Sequence, residues 1–170
     1  LAVLVIETDR NVELPGADWY PPFVNAEPVL DEIEEFLTGA RPAPAQDRIL
    51  ATVLFTDIVG STDLAARLGD QRWLDLRAAH DWLVRTHLER YRGKEVATTG
   101  DGFLATFDGP ARAVRCASEI AVAVRSLGIE IRAGLHSGEV EIQDGRIAGI
   151  AVHIAARVMA RAREGQVMVS

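Results

Sequence analysis

Several features that would narrow the function of a protein are scarce in this chain of 170 residues. It has one cysteine, Cys116, so an internal disulfide cannot form and a reducing, cytoplasmic setting is predicted. No apolar run approaches the roughly 18 residues that a membrane-spanning helix needs, since residues 1–6 are far too short. The same segment lacks the basic flank and cleavage pattern of a signal peptide. We therefore expect no membrane segment in this chain.

Positive charge is also scarce. Lysine and arginine total 18 against 25 aspartates and glutamates, which leaves a net charge of −7. A general nucleic-acid binder normally carries a basic face, so we expect no nucleic-acid partner. An acidic protein can bind a small anionic substrate only where a metal ion and local arginines create a positive field. The P-loop and dinucleotide glycine motifs are both absent, which excludes those two modes of nucleotide binding.

The composition changes at residues 39–48, where two prolines stand among alanines and regular structure is disfavoured. We predict a linker there, between a short unit over residues 1–38 and a larger domain over residues 49–170. In the short unit, residues 1–6 are a candidate strand, residues 14–18 a turn and residues 28–37 an amphipathic helix. About forty residues with one helix can scarcely form a core of their own.

The larger domain is predicted to alternate between strands and helices. Hydrophobic periodicity and glycine positions predict a helix over residues 62–92, broken near Gly69, a second over 111–127 and a third over 151–163. Strands are predicted over residues 50–56, 95–99, 103–107, 130–136, 138–142 and 166–170. The first six elements have the order βαββαβ, which is typical of an α+β, ferredoxin-like fold with helices over one face of an antiparallel sheet.

Two acidic motifs follow strands of this predicted sheet. Residues 55–62 read FTDIVGST and residues 98–103 read TTGDGF, and each places an aspartate, Asp57 or Asp101, where a strand meets glycine. Aspartates near glycine are commonly simple turn formers. However, strand one and the hairpin are neighbours in a βαββαβ sheet, so both carboxylates can reach one edge. Such an oxygen-rich pair suits Mg²⁺ or Mn²⁺ bridged to phosphates.

A phosphate seat is predicted beside the first aspartate. Gly60, Ser61 and Thr62 open a helix, whose free N–H groups and positive dipole end attract anions. The same residues could serve only as a helix cap, and the two roles use the same geometry.

Four segments together resemble the class III nucleotidyl cyclase catalytic domain, particularly its bacterial branch. They are residues 55–62 (FTDIVGST), 98–103 (TTGDGF), 134–140 (GLHSGEV) and 149–157 (GIAVHIAAR). The resemblance implies an adenylate cyclase that converts ATP to 3′,5′-cyclic AMP and pyrophosphate. It also implies a head-to-tail homodimer with shared sites and two Mg²⁺ or Mn²⁺ ions per site. The alternative is a non-catalytic cyclase-homology module that binds nucleotide or a partner in signalling.

The resemblance assigns roles to individual residues. Asp57, Asp101 and the backbone carbonyl of Ile58 are the implied metal ligands. One ion would activate the ribose 3′-hydroxyl and the other would bind the triphosphate. Arg157 would stabilise charge on the α-phosphate, although a helical arginine is often only solvated. His153 stands four residues earlier, where the family usually has asparagine, and is the second implied catalytic residue.

This sequence departs from the family pattern in its base-reading positions. The adenine-reading lysine and aspartate or threonine of the family correspond to Ala97 and Arg146, neither of which matches. Lys94 lies nearby, but strict alternation along the strand predicts that it points to the opposite face. We therefore expect weak discrimination between ATP and GTP. The family also has a triphosphate-binding basic residue beyond the last strand, so either that role is unfilled here or the domain continues past Ser170.

The short N-terminal unit resembles the C-terminal end of an α/β-hydrolase domain. The matching stretch, residues 16–21, reads GADWYP, with Trp19 at the position of the catalytic histidine. The chain also lacks a nucleophile elbow, so this unit is predicted to have no hydrolase activity.

Overall fold

The computed structural model describes residues 33, 35–37, 39, 47–98, 100–143 and 146–170. The chain divides into two units, residues 1–45 and residues 46–170. In the first unit, residues 33 and 35–37 are helical, within the helix predicted over 28–37. The strand and turn predicted upstream lie outside the described residues. The three-part division of the chain and its hydrolase-like start stay predictions.

The first six elements of the second unit alternate between strands and helices in the predicted order. The described helices are α1 (Ser61–Leu68), α2 (Asp70–Arg90), α3 (Pro110–Ala123), which continues as a short 3₁₀ helix (Val124–Leu127), and α4 (Ile150–Arg161). The described strands are β1 (Asp47–Ile58), β2 (Lys94–Thr98), β3 (Gly102–Phe107), β4 (Ile131–Gln143), β5 (Arg146–Ala148) and β6 (Val167–Val169). The predicted break at Gly69 is present between α1 and α2. None of the described helices is long and apolar enough to cross a membrane.

The sheet has the order β2-β3-β1-β4-β5, and β6 also pairs with β4. All pairs are antiparallel except the β4–β6 pair, which is parallel. The first six elements, with α1 and α2 taken as one broken helix, form a βαββαβ unit whose strand order is that of a ferredoxin-like sheet. The predicted α+β fold class is therefore confirmed.

Helices cover both faces of the sheet. On the first face, α2 and α3 pack over strand residues such as Leu54 and Phe103 in the larger core cluster. On the second face, Ala151 and Ala155 of α4 pack on a smaller cluster that includes Val53. Because side chains alternate along a strand, the odd-numbered residues of β1 from Ala51 point to the second face. Asp57 follows this alternation and so lies on the face of α4.

The structure differs from the sequence prediction along β4. Residues 130–136 and 138–142 were expected as two strands joined at Ser137, but Ile131–Gln143 is one strand. Its register with β1 runs without interruption from Ile58↔Ile131 to Asp47↔Ile142. The Ser137 hydroxyl lies 2.8 Å from that of Thr52. Cross-strand pairing thus keeps a Ser-Gly step extended, where a local pattern indicates a turn. The short strand β5 was not predicted.

Gly134 allows α4 to approach β4 closely. A Cβ atom at this position would lie 2.1 Å from the backbone nitrogen of Met159, in the last turn of α4. Real Cβ contacts are longer than this, and a backbone atom cannot rotate away as a side-chain tip can. The glycine therefore sets how closely the helix that carries Arg157 rests on the sheet.

Replacing Gly134 with alanine is expected to destabilise the domain by about 1–3 kcal/mol or more, because α4 must shift to admit the methyl group. Urea denaturation followed by circular dichroism measures the change. Gly109→Ala is the matched control, since an added Cβ there meets nothing within 4 Å. Equal stability of Gly134→Ala and the parent protein would contradict the close packing.

Candidate active site

Backbone register brings the two motif aspartates to the same end of neighbouring strands. Asp57 lies directly opposite Gly102 in the β1–β3 ladder, so their Cα atoms are about 5 Å apart. Asp101 immediately precedes Gly102 in the chain. The buried Thr56 hydroxyl accepts a hydrogen bond from the Phe103 backbone N–H at 3.2 Å. This bond ties the end of β1 to the start of β3, immediately beside both aspartates.

Asp57 forms an ion pair with Arg132, a residue that sequence analysis did not single out. The two residues are directly opposite in the β1–β4 ladder. Both guanidinium donors converge on one carboxylate oxygen, with Nε 2.9 Å and Nη2 2.5 Å from Oδ2. The side chains are 20% exposed for Asp57 and 37% for Arg132. Its position in the sequence offers one signal that could have identified it, since Arg132 lies two residues before the motif at 134–140.

Asp101 makes no hydrogen bond or ion pair with any described residue, and it lies close enough to His80 to affect that imidazole electrostatically. His80, on α2, is fully buried, and its ring packs on Phe103 with centroids 5.8 Å apart. Burial lowers the His80 pKa from its ordinary value, opposed by a hydrogen bond with Asp81. Nothing in the sequence pattern assigns this histidine a role. The structure places it beneath the hairpin that carries Asp101.

The predicted phosphate seat lies at the start of α1, three residues after Asp57. Gly60 adopts a left-handed conformation with φ of 64°, which reverses the chain between β1 and the helix. Leu64 donates to the Gly60 carbonyl at 3.0 Å. The N–H groups of Ser61 and Thr62 precede this first helical hydrogen bond, so they have no acceptor within the helix. No side chain caps the helix start. The negative charge of Asp63, in the first turn of α1, would repel an anion bound there.

Arg157 and His153 occupy the outer face of α4. Both side chains are exposed, whereas Ala151 and Ala155 face the sheet and are buried. Neither Arg157 nor His153 makes a hydrogen bond or ion pair with a described residue. The predicted common face is therefore present, and within this chain neither residue is bonded to Asp57.

Ala97 and Arg146 lie on β2 and β5, at the two ends of the strand order. Even so, the two strands approach each other over the second face. Val96 and Ile147, their immediate neighbours, both pack against the smaller core cluster. Ala97 and Arg146 are themselves exposed. The two positions expected to read the base are thus on segments that the curved sheet brings near each other.

The expected orientation of Lys94 is wrong. A β-bulge between Glu95 and Ala97 shifts the register, so Lys94 pairs with Thr106 and Ala97 pairs with Leu104. Thr106 and Leu104 are two residues apart and so share one face of β3. Lys94 and Ala97 therefore point to the same face, which is also the face of Asp57. The extra residue, Val96, breaks the alternation on which the expectation depended.

The donor set fits a hard divalent cation. Asp57 keeps one oxygen, Oδ1, without a hydrogen bond to a described residue, Asp101 has both oxygens free of such bonds, and the Ile58 carbonyl is adjacent. Among the described residues there is no group of three or more histidine, cysteine or acidic side chains that could hold a metal. Two carboxylates that leave positions for water and phosphate oxygens are typical of Mg²⁺ sites.

The main cleft among the described residues does not include these side chains. A cleft of about 890 Å³ lies beside the start of α1 and is lined by Gly60, Asp63, Arg67 and Glu130, among others. Neither Asp57, Asp101 nor Arg157 lines it. The volume of this cleft alone therefore does not locate a catalytic site.

Comparison with known proteins decides the family. Residues 43–170 match the family described as the adenylate and guanylate cyclase catalytic domain. The chain belongs to this family. A putative adenylate cyclase 3 of Rhizobium meliloti is 31% identical over 131 residues, which is 72% of this chain and 22% of the relative. The chain thus spans about a fifth of that relative's length.

Solved structures of cyclases share this cyclase domain's fold. The adenylyl cyclase CyaB of P. aeruginosa aligns with a TM-score of 0.68 at 23% identity, covering 74% of this chain and 78% of CyaB. A protein of Silicibacter pomeroyi described as an adenylate/guanylate cyclase/hydrolase aligns with a TM-score of 0.63 at 33% identity, covering 73% and 76%. The description of the family and that of the Silicibacter pomeroyi protein each name both adenylate and guanylate cyclases.

Proposed function

We propose that this cyclase domain converts ATP to 3′,5′-cyclic AMP and pyrophosphate. The observation that carries the proposal is the position of Asp57 and Asp101 at the ends of adjacent strands, beside the free N–H groups of α1. The reaction joins the ribose 3′-oxygen to the α-phosphorus, breaks the bond to the β-phosphate oxygen and releases the hydroxyl proton. Carboxylates and helix N–H groups are the ligands that a metal-bound triphosphate requires.

Each residue has a distinct task in this proposal. Asp57, Asp101 and the Ile58 carbonyl would hold two Mg²⁺ or Mn²⁺ ions. When bound, these ions would favour ionisation of the 3′-hydroxyl and neutralise charge on the leaving pyrophosphate. The N–H groups of Ser61 and Thr62, with Gly60 turning the chain, would bind phosphate oxygens. Arg157 would donate to the α-phosphate as negative charge develops there.

A second copy of the chain would complete the site. Arg157 and His153 are exposed on α4 and have no bonded partner among the described residues, and neither Asp57 nor Asp101 lines the cleft beside α1. A head-to-tail homodimer would place the α4 residues of one subunit over the aspartates of the other. Two-fold symmetry would then form two equivalent sites, because every contact in such an interface occurs twice.

The second candidate function is a cyclase-homology module that binds nucleotide without turning it over. Three departures from the family pattern favour it: alanine at position 97, arginine at 146 and histidine at 153. Retention of both aspartates and Arg157 favours the enzyme. Incubation with Mn²⁺ and ATP, followed by chromatography for cyclic AMP, distinguishes the two.

Asp57→Asn and Asp101→Asn are each expected to reduce cyclic AMP formation by more than about hundredfold. Loss of even an outer partner of a metal site commonly costs about 10- to 100-fold, and these residues are proposed as direct ligands. Asparagine at position 57 still accepts a hydrogen bond from Arg132, so the fold is retained. Asp108→Asn, at an aspartate paired with Arg112 at 3.0 Å on the surface, is the control. Undiminished turnover in either aspartate variant would refute the metal assignment.

ATP and GTP are expected to be turned over at rates that differ little, because neither Ala97 nor Arg146 matches the adenine-reading pattern. A missing hydrogen bond commonly forfeits about 1–3 kcal/mol of selectivity. Ala97→Lys combined with Arg146→Asp is expected to raise the kcat/KM ratio for ATP over GTP by about tenfold or more. If the parent protein already rejects GTP by several orders of magnitude, another residue reads the base. Lys94→Ala would then be the first variant to compare, since Lys94 shares the face of Ala97.

Asp57→Asn and Arg157→Ala proteins are each expected to be nearly inactive alone and to regain activity when mixed. A heterodimer has one intact site, built from the unaltered half of each subunit, and one site with both changes. The regained cyclic AMP formation should fall on dilution as dimers dissociate. A mixture no more active than its components, while subunit exchange is observed by fluorescence transfer, would mean that each site lies within one chain.

A further inference from the structure

The Asp57–Arg132 pair occupies one oxygen of a carboxylate that is proposed to hold metal. Both guanidinium donors bond to Oδ2, at 2.9 Å from Nε and 2.5 Å from Nη2. The other oxygen, Oδ1, accepts no hydrogen bond from a described residue. One carboxylate oxygen of Asp57 is therefore bonded to the Arg132 guanidinium, and the other is available to a metal ion.

An oxygen held in this way is a poor metal ligand. Mg²⁺ binds carboxylate oxygens at about 2.0–2.1 Å in a nearly ideal octahedron. An ion at that distance from Oδ2 would meet the positive guanidinium at close range, where like charges repel and partial burial weakens screening. Asp57 can therefore ligate one ion through Oδ1 while the pair is closed, but it cannot bridge two.

The pair is positioned by the fold and is not a chance surface contact. Asp57 and Arg132 are direct partners in the β1–β4 ladder, so their backbone positions are set by cross-strand hydrogen bonds. On the same face, Gly134 follows Arg132 on β4 and holds α4 close to the sheet. Arg132 needs no change of backbone to reach Asp57, and it is 37% exposed, so it has room to leave.

We propose that Arg132 is a positioning residue that limits the nucleotide-free protein to one divalent ion at Asp57 and Asp101. Opening of the Asp57–Arg132 pair is then the step that allows the second ion to bind. Binding of the second ion therefore depends on opening of this pair, and free metal alone does not open it. This inference rests on the metal role proposed above for the two aspartates.

Counting Mn²⁺ in the absence of nucleotide tests the proposal. Electron paramagnetic resonance of free Mn²⁺ gives the number of ions per chain, and isothermal titration calorimetry gives their affinities. The parent protein is expected to hold one ion per chain at concentrations where Arg132→Gln holds two. A hydrogen bond to a charged group corresponds to about a ten- to hundredfold change in binding, so the second ion should bind Arg132→Gln tighter by that factor.

Arg48→Gln is the matched control. Arg48 and Glu141 are also direct partners in the β1–β4 ladder, bonded at 2.7 Å, but at its other end. Arg48 lies nine positions before Asp57 on the same strand, about 30 Å away. The control removes the same charge from the same pair of strands, and it is expected to leave the Mn²⁺ count unchanged. Arg132→Met, which keeps the apolar stem but has no donor, is a second variant should Arg132→Gln fail to fold by circular dichroism.

The outcomes separate this inference from the proposed activity. A parent protein that already binds two ions without nucleotide, or folded Arg132 variants that bind no more than the parent, would overturn the role of Arg132. An equal gain in Arg48→Gln would also overturn it, because net charge alone would then explain the effect. Gain of the second ion in the Arg132 variants supports the inference even if no cyclic AMP is formed, which would contradict only the cyclase activity.

Discussion

The continuous β1–β4 ladder is the constraint on which the rest of the domain depends. Its register runs from Asp47↔Ile142 to Ile58↔Ile131 without a slip. A shift of one residue would move every side chain of β1 to the opposite face, which would bury Asp57 under the helices of the larger core. The ladder thus decides both which apolar residues enter each core cluster and where the carboxylate faces.

The electrostatics of the site follow from that register. In a chain with a net charge of −7, a half-buried carboxylate needs a nearby cation, and Arg132 fills that need at Asp57. Asp101 has no such partner among the described residues, and the first turn of α1 presents backbone N–H groups together with the negative charge of Asp63. The site therefore combines one neutralised and one free carboxylate, an arrangement suited to an ion that arrives together with a polyanion.

Residues with strong local preferences were predicted correctly. Gly69 breaks the long helix because it adopts a φ of 75°, and Gly-Ser-Thr begins α1 as the pattern indicates. A buried apolar run predicted β1, since a strand covered on both faces leaves few polar positions. The tight Gly-Asp-Gly turn at residues 100–102 predicted the hairpin. By contrast, Lys94 was assigned to the wrong face because a single extra residue, Val96, is visible only when the partner strand is known.

The sequence by itself determined the fold class, the family and the residues proposed for the chemistry, because these follow from local periodicity and from motifs read along the chain. Only the tertiary structure decided that β4 is one strand, that Arg132 bonds to Asp57 and that His80 is buried beneath the Asp101 hairpin. Each of these facts joins residues far apart in sequence: Asp57 and Arg132 are separated by 75 positions. Pairing over such distances is set by cross-strand register and packing, and no window of local sequence contains that information.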